Sequence, residues 1–527
     1  MIEAPRVPGL SDDEQATLSM LVEQLARKAT RNAIRTQYYE MKRAIKRVGT
    51  IVPPQYYNLG LTLGWTGKAV DALVRRCRLE SFKWPDGDLD GIGYSEFVDE
   101  NRLFAEITGA EVHSTVHGVS FLINTTGDEA DGEPRGLLHV KDALSATGQW
   151  NSRRRALDAL LSVTARGDDG SLEGFVLYLD GLTIRAEKSG GRWDVDRHEH
   201  VWGVPVEPMI YKPWTRPFGH SRITRAMMSA QDMATRALIR LEGHMDIYSY
   251  PEFWMLGADS SVFKNADGSM KSAWQVQMGR IKGLPDSDET TDPALARADV
   301  KQFPAASPEP HLAALNTFAK LMARESSLPD SDFALTDMAN PTSAEAYLES
   351  RESLIAEAEG ATDDWELPLR RALVRGLAMR AGLDEVPVEL RTITPRWRPP
   401  RYESRAAQAD AGMKQLTAMP WLGDTEVGLE LLGLSPDQIA RAKAERRVQA
   451  GRASIEALLA GTSVAQSEGE DADAIAKKAN ALGQLIRAGV DPQSAAAHLG
   501  LSGLEFTGAT PVSFRQSESA ADRLEDR

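Results

Sequence analysis

Apolar residues recur at helical spacing in several stretches of the chain. Residues 11–46 open with Ser11-Asp12-Asp13-Glu14, where a capping serine and first-turn acids favour a helix start. A second amphipathic helix is predicted over Gly67 to Arg78. Residues 222–248 contain no proline and one interior glycine, so they predict a third helix of roughly 40 Å at 1.5 Å per residue.

Between the second and third predicted helices, the apolar period changes to that of strands. The predicted strands are Val119 to Asn124, Leu157 to Ala165, Gly174 to Leu179 and Leu182 to Glu187. Asp180-Gly181 separates the last two and is a strong hairpin signal. The first 200 residues therefore predict an α+β region with an antiparallel sheet.

The remainder is predominantly helical apart from one long excursion. Residues 250–307 are rich in Gly, Pro, Asp and Ser, with a hairpin-like patch at Trp274 to Ile281, and a helix follows over His311 to Ser326. After a loop, Thr342-Ser343-Ala344-Glu345 predicts a capping box that opens a long helix to about Ala381, kinked at Pro368. Short helices and a charged, flexible end complete the chain.

Composition narrows the class of protein. A chain of 527 residues with 42% hydrophobic content can bury several cores. A formal net charge of −15 argues against broad, sequence-independent binding of nucleic acid. Cys77 is the single cysteine, which excludes an intrachain disulfide. The chain has neither an N-terminal signal pattern nor a run of about 18 apolar residues, so we expect a soluble protein without a classical signal peptide.

Three short motifs could carry chemistry, and each is incomplete. Asp86-Gly87-Asp88-Leu89-Asp90-Gly91 is typical of the start of a calcium loop, but Phe97 stands where the final carboxylate belongs; a solvated turn before a helix and a structural cation both stay open. Gly64-Trp65-Thr66-Gly67-Lys68 lacks the spacing of a phosphate loop. His198 and His200 share one face of a predicted strand but have no comparable third ligand nearby.

No catalytic signature anchors an enzymatic function, so we expect a protein that is not an enzyme and has no cofactor or catalytic metal. The competing hypothesis is a metal-dependent hydrolase built on Asp86, Asp88, Asp90 and the two histidines. Residues 481–501 predict two helices joined at a turn, for which helical packing is favoured over DNA reading because basic residues are sparse there.

The order helix, excursion, helix, loop and long helix resembles the portal protein family of tailed bacteriophages, particularly portals of siphophages related to those infecting actinobacteria. Gly219-His220-Ser221-Arg222-Ile223 followed by Gln231-Asp232-Met233 is similar to the family's entry into the first stem helix. Ala339 to Ala346, with Asn-Pro at its centre, resembles the segment that starts the long helix. Residues 352–359 and 482–507 add two further matches.

The resemblance implies an α+β, predominantly helical portal fold that assembles, usually as about twelve subunits, into a ring around an axial channel. It implies these regions: wing 1–220, stem helix 221–249, clip 250–307, second stem helix 308–327, tunnel loop 328–341, wing long helix 342–390, crown 391–510 and flexible tail 511–527. The implied function is to let DNA enter and leave the capsid at one vertex and to dock the packaging and tail components.

The same resemblance implies functional residues. Those expected to line the channel in the tunnel loop are Asp330, Ser331, Asp332, Phe333, Thr336 and Asp337. Those expected to pack the stem, within or between subunits, are Ile223, Met227, Met228, Ala234, Leu238 and Leu241.

The implied partners are copies of this chain, the major capsid protein, a head-tail adaptor, a separate terminase, scaffold and passing double-stranded DNA, in the virion and, during assembly, the host cytoplasm. No membrane partner is expected. The alternative within the same setting is another phage head-tail structural protein, an adaptor or a minor capsid protein.

Overall fold

The computed structural model describes residues 4–43, 60–248, 307–334, 349–401 and most of 405–452, with short segments between 253 and 302 and isolated residues up to 498. By its internal contacts the chain divides into two compact units, Met1–Arg401 and Tyr402–Arg527. None of the described helices combines the length and apolar content needed to cross a bilayer.

The first predicted helix begins where its capping signal places it. Helix α1 spans Asp12–Tyr39, and Ser11 and Glu14 form a reciprocal capping box: Ser11 Oγ accepts from Glu14 N at 3.3 Å, and Glu14 Oε2 accepts from Ser11 N at 2.8 Å. The helix ends at Tyr39, several residues before the predicted limit. Helix α2 spans Trp65–Val74, close to its predicted position.

The predicted antiparallel strands are confirmed and form two sheets. One is a three-stranded sheet with the order β3-β2-β9, made of Val119–Thr126 (β2), Gly136–Asp142 (β3) and Val206–Ile210 (β9). The other is a five-stranded meander made of Ala146–Asn151 (β4), Ala156–Arg166 (β5), Leu172–Leu179 (β6), Leu182–Ser189 (β7) and Arg192–Glu199 (β8). The hairpin at Asp180-Gly181 joins β6 to β7, and Gly181 has φ +73°, as its turn requires.

Alternating residues of the meander pack under α1. Leu18, Leu21 and Val22 of the helix share a buried cluster with Ala159 and Leu161 of β5 and with residues of β6 and β7. Positions 159, 161 and 163 have a period of two, so they lie on one face of the sheet. The amphipathic pattern of α1 is thus explained by burial against this sheet.

Two helices lie between the first strand and the sheets; the first follows the Asp86–Gly91 turn, where a helix was expected, and the second was not predicted by the sequence pattern. They are α3 (Tyr94–Asn101) and α4 (Leu103–His117), separated by Arg102 in the left-handed region at φ +47°. Strand β1 (Leu79–Lys83) precedes them and pairs antiparallel with β13 (Thr394–Trp397), more than 300 residues later.

Three helices follow the predicted order. Helix α5 spans Arg225–Tyr248, α6 spans Glu309–Ser326 and α7 spans Glu352–Arg380, the last continuing through Pro368. Within the excursion, Phe253–Leu256 (β10) pairs in parallel with Ile281–Leu284 (β11) and antiparallel with Asp299–Gln302 (β12). The main core gathers residues of α2, α4, α5, α6 and α7 around Trp365, which is fully buried.

The pairing of β13 with β1 places residues 391–401 in the first unit. The resemblance assigns these residues to the crown region; Ile393 is fully buried in the main core, and residues up to Arg401 belong to the first unit. In the second unit, described elements are α8 (Arg405–Ala418), α9 (Glu426–Leu431) and a helical stretch at 441–452.

Several sequence predictions fall outside the described residues. These are the hairpin-like patch Trp274 to Ile281 except for Ile281 itself, the capping box at Thr342, most of the paired helices at 481–501 and the tail at 511–527. They stay predictions.

Candidate functional site

The segment that leads into α5 holds a buried arginine where four elements meet. Arg222 is 5% exposed. Its Nε donates to the carbonyl oxygen of Ala69 in α2 at 3.1 Å, and its Nη2 donates to that of Ser326, the last residue of α6, at 2.6 Å. Its Nη1 forms an ion pair with Glu357 of α7. We call Arg222, Ala69, Ser326 and Glu357 the Arg222 junction.

The charges of the Arg222 junction compensate one another. Burial alone would raise the pKa of Glu357, but the charges of Arg222 and Lys212 and hydrogen bonds from Lys212 and the Tyr211 hydroxyl outweigh burial and hold that pKa below its ordinary value. Burial opposes charge on Arg222, and Glu357 reverses this effect, so the pKa of Arg222 is raised. Both groups are therefore ionised near neutral pH, and a charge-assisted network joins the helix ends.

The residues around Arg222 explain why this short segment has its particular sequence. Gly219 has φ +60°, and a Cβ there would lie 2.7 Å from the carbonyl oxygen of Gly118. Ser221 Oγ donates to the carbonyl oxygen of Val116 at 2.6 Å and accepts from Ile223 N at 3.0 Å. The side chain of Ile223 is fully buried in a cluster beside Val116. Glycine, serine and isoleucine thus fix the backbone from which Arg222 projects.

The first turns of α5 are tied to α1 and α2 by polar contacts. Gln231 Oε1 accepts from Thr66 N at 2.9 Å and lies 2.9 Å from the Thr66 hydroxyl. The Tyr38 hydroxyl donates to Asp232 Oδ1 at 2.8 Å. Burial and the bond to Asp232 raise the pKa of Tyr38 to about 12. The Gln-Asp pair of the sequence motif therefore anchors this helix to the body of the first unit.

The structure divides the predicted stem residues into two groups. Ile223, Met227 and Ala234 are fully buried within the chain, so they are unavailable to a neighbouring subunit. The prediction left open whether the six residues pack within or between subunits, and the burial of these three is completed within the chain. Met228, Leu238 and Leu241 are half-buried and keep apolar surface.

Helices α5 and α6 pack against each other along their length. His244, near the end of α5, and His311, near the start of α6, bring their rings to 5.1 Å, so the two helices run antiparallel. Alanines 230 and 234 of α5 and Ala319 of α6 are buried in the same cluster. Small side chains at these positions let the helix axes approach closely. The excursion between the helices therefore leaves and returns at the same end of the pair.

The start of the predicted tunnel loop is anchored in the main core, which corrects the assignment of Phe333. Its side chain is 6% exposed and packs edge-on against Trp65, with ring centroids 5.8 Å apart. Phe333 therefore stabilises the fold and cannot face a channel. Asp332 is also engaged: its Oδ1 accepts from Arg351 Nη2 at 3.1 Å, and its carbonyl oxygen accepts from Lys68 Nζ.

Only part of the predicted DNA-facing set remains available in this loop. Asp330 and Ser331 are exposed on a 3-10 turn whose other side is held by Phe333. Thr336 and Asp337 lie outside the described residues. Asp330 and Ser331 stay predicted channel residues, because both are exposed to solvent.

The other candidate motifs have structural explanations. Asp88 Oδ1 accepts from Asp90 N at 3.2 Å, and the loop leads through a 3-10 turn into α3, as expected for a solvated turn before a helix. Lys68, from the incomplete phosphate loop, binds the turn at Asp332. Among the described residues, one group of three ligand-type side chains brings its atoms within 4.8 Å, and it includes neither Asp86 to Asp90 nor His198 and His200. The arrangement expected for a hydrolase is not formed by these residues.

Sequence reasoning missed the two residues that carry the junction. Arg222 stood within a recognised motif without an assigned role, and Glu357 fell within a further match. The available signal was an arginine next to Ile223, an apolar residue that favours burial. An arginine in such a place needs an acidic partner, but the sequence does not identify which of 76 acidic residues supplies it.

A family model described as phage portal protein, SPP1 Gp6-like, matches residues 19–450. The match covers both antiparallel sheets, the Arg222 junction and α5 to α9. The chain belongs to this phage portal protein family, which is a structural rather than an enzymatic family. The match decides against an adaptor or a minor capsid protein. No curated protein matches the chain.

Solved structures that the chain matches come from gene transfer agent particles. A chain in the virion of the native particle is 14% identical, with 77% of this chain and 99% of that chain covered, at a TM-score of 0.36. A chain in the neck of the empty particle is 17% identical, with 74% and 92% covered, at a TM-score of 0.37. A chain in the neck of the native particle is 15% identical, with 76% and 99% covered, at a TM-score of 0.36.

Proposed function

We propose that this chain is one subunit of a ring of about twelve copies that surrounds the DNA channel at one vertex of a phage capsid. The family match over residues 19–450 is the observation that carries the proposal. The order α5, excursion, α6, loop and α7 supports it, because a paired-helix stem that leaves and re-enters one body at a single junction suits a ring subunit. In this assignment α5 and α6 are the stem, residues 250–307 the clip and residues 328–341 the tunnel loop.

Subunit packing in the proposed ring uses the surface that the fold leaves apolar. Met228, Leu238 and Leu241 of α5 are half-buried, and Leu321 of α6 is 44% exposed. Stem helices packed side by side around a ring would cover these residues, in the way that apolar patches are covered in obligate oligomers.

The channel function follows from charge. The chain carries 76 acidic and 61 basic residues, and a net-negative subunit repeated around a ring lets phosphates pass without adhering. Asp330 and Ser331 are the described loop residues that could present this charge to DNA. The ring guides DNA, and a separate terminase with its own nucleotide site supplies the energy. Adaptor, scaffold and major capsid protein are the remaining proposed partners, and the virion is the proposed location.

The ring is tested with the purified full-length chain. Light scattering is expected to give a mass on the order of twelve times 57.7 kDa, and negative-stain images are expected to show rings with a central hole. The double substitution Leu238→Glu and Leu241→Glu should shift the peak to smaller species, while Asp168→Lys on an exposed turn should not. A monomer that assembles neither alone nor with capsid protein and scaffold would refute the ring.

The channel assignment of the loop is tested separately by charge reversal. Asp330→Lys replaces a negative charge by a positive one at an exposed position, which changes the net charge by two units per subunit. We expect intact rings with slower DNA packaging or ejection. Asp168→Lys adds the same charge at an exposed turn between β5 and β6 and serves as the control. Packaging that is equally affected by both substitutions, or by neither, would remove Asp330 from the channel.

A further inference from the structure

Two histidines and an aspartate converge at the place where α4 ends and β3 ends. His113 and His117 are one helical turn apart on α4, and their rings stack with centroids 6.5 Å apart. Asp142 is the last residue of β3. One ligand atom from each of these three side chains lies within 4.8 Å of the other two. No other group of this kind occurs in the described part of the chain.

The buried ring of His117 has a nitrogen without a hydrogen-bond partner, which points to a ligand. His117 is 7% exposed, and its Nδ1 has no hydrogen-bond partner. Its Nε2 lies 3.5 Å from the Thr36 hydroxyl, which donates its own proton to the carbonyl oxygen of Asn32. The hydroxyl oxygen therefore acts as the acceptor for an Nε2 proton, and this tautomer leaves an unshared pair at the buried Nδ1. A buried acceptor without a donor is costly, and a cation would satisfy it.

Asp142 is already oriented by its own turn. Its Oδ1 accepts from Ser145 Oγ at 2.6 Å, from Ser145 N at 3.0 Å and from Leu144 N at 3.2 Å. These bonds fix the carboxylate and use only one of its oxygens, so Oδ2 is the oxygen left for a ligand. An oriented carboxylate of this kind is typical of metal sites, in which the neighbours of a ligand hold it in place.

We propose that His113, His117 and Asp142 bind a divalent transition-metal ion of the zinc type. Imidazole and carboxylate ligands suit zinc, whereas magnesium and calcium require oxygen ligands throughout. Zinc bonds of about 2.0–2.2 Å place ligand atoms within about 3.6 Å of each other. Since the three ligand atoms already lie within 4.8 Å of one another, the side chains need to close by no more than about 1.2 Å on binding. Three protein ligands leave a fourth position for water.

The ion would add a direct link between α4 and the end of β3. His113 and His117 belong to α4, and Asp142 begins the turn from β3 into β4. The Thr36 contact extends the connection to α1, while Arg35 Nη1 donates to the carbonyl oxygen of His117 at 3.3 Å. A metal bound here would brace one helix against both antiparallel sheets in the first unit. The role is structural, and it is independent of the proposed channel.

The test uses the full chain after treatment with a chelator, titrated with Zn²⁺ by calorimetry and with Co²⁺ by visible absorption. We expect one ion per chain, a rise in thermal midpoint on binding and absorption bands of Co²⁺ with nitrogen and oxygen ligands. His113→Ala and Asp142→Asn should each weaken binding at least about tenfold. His113 is half-buried and makes no hydrogen bond through a described partner, so its replacement leaves a folded chain.

The matched control is the double substitution His198→Gln and His200→Gln. It removes a second pair of neighbouring histidines, with ring centroids 6.2 Å apart, that has no third ligand. Binding should be unchanged in this variant. Absence of stoichiometric binding, binding that survives in His113→Ala and Asp142→Asn, or binding lost only in the control would each overturn the proposal.

Discussion

At the scale of single residues, Arg222 shows how a buried charge can be tolerated. Taking a guanidinium out of water costs several kcal/mol unless its donors find partners. Here Nε and Nη2 donate to main-chain carbonyls of Ala69 and Ser326, and Nη1 faces Glu357. These partners come from three different helices, so the network also specifies one arrangement of the helix ends. We infer that it defines where the paired helices leave the body of the unit.

Replacing Glu357 by glutamine tests this role. The variant keeps the shape of the side chain but leaves Arg222 buried without its counter-charge, so we expect a loss of about 3 kcal/mol in the free energy of unfolding. Urea denaturation followed by circular dichroism measures it. The double variant Glu357→Gln with Arg222→Met should lose at least about 1 kcal/mol less free energy of unfolding than the sum of the two single variants, because the two charges depend on each other.

The control for this substitution is an exposed ion pair of the same chemistry. Arg185 Nη2 and Glu187 Oε1 lie 2.8 Å apart on β7, with both side chains at least half exposed. Glu187→Gln should change stability by less than about 0.5 kcal/mol. If Glu357→Gln were no more costly than Glu187→Gln, the Arg222 junction would not stabilise the fold.

A second prediction at this scale concerns the stability of the fold at acid pH. Burial and, to a smaller degree, Lys141 lower the pKa of His139 to about 4 from its ordinary value of 6.5. Between these values the unfolded chain binds a proton that the folded chain excludes, so stability falls as pH drops from about 6.5 to 4. His139→Gln should remove nearly all of this loss, about 2 kcal/mol, measured as the difference between unfolding curves at pH 7 and pH 5.

The wild-type chain, measured in parallel under the same conditions, provides the comparison for the acid prediction. An unaltered pH dependence in His139→Gln would show that the folded chain protonates His139 as easily as the unfolded chain does.

Residue burial was the hardest property to predict from the sequence. Phe333 was expected in a channel-facing loop, yet it packs on Trp65, which lies 268 positions earlier. Ile223 was expected to pack the stem, yet it precedes α5 and joins the cluster of Val70 and Val116. A local pattern can place such residues in a motif, but their neighbours come from distant parts of the chain, which the pattern does not specify.

At the scale of elements, the sequence predicted those with local signals and missed those without them. The capping box at Ser11 and the turn at Asp180-Gly181 are satisfied within a few residues, and both were located correctly. Helix α4 was missed because Glu111, Ser114 and Thr115 are buried together with its apolar residues, so no polar face marks the helix. Burial raises the pKa of Glu111 well above its ordinary value, and the neutral acid behaves as a core residue.

The 3-10 turn at the start of the tunnel loop has a buried side with Phe333 and an exposed side with Asp330, and substitutions on the two sides should differ in their effect on stability. Phe333→Ala should cost about 3 kcal/mol of stability, because it empties an aromatic site in the main core. Asp330→Ala, three positions earlier and exposed, should change stability by less than about 0.5 kcal/mol. The thermal midpoints of both variants measure the contrast. Equal effects would mean that Phe333 does not anchor the loop.

At the scale of the whole molecule, the long-range pairing of β1 with β13 decides where the first unit ends. Phe82 of β1 pairs with Pro395, and Leu79 pairs with Trp397. Strand pairing across more than 300 residues closes the unit, so residues 391–401 belong to it, and Ile393 is part of its core. The mixed α+β class was predictable because both periods occur in the sequence, but this closure was not, since a four-residue strand next to Pro399-Pro400 has no pattern of its own.

Two truncations distinguish the observed boundary from the predicted one. A chain ending at Arg401 keeps β13, and we expect it to fold with the circular dichroism and cooperative unfolding of the first unit. A chain ending at Arg391 loses Ile393, which is fully buried, and the partner of β1, so it should be less stable by at least about 3 kcal/mol or fail to fold. Urea midpoints of the two chains, recorded side by side, measure the difference. Equal midpoints would show that β13 adds nothing to the unit and would return the boundary to residue 391.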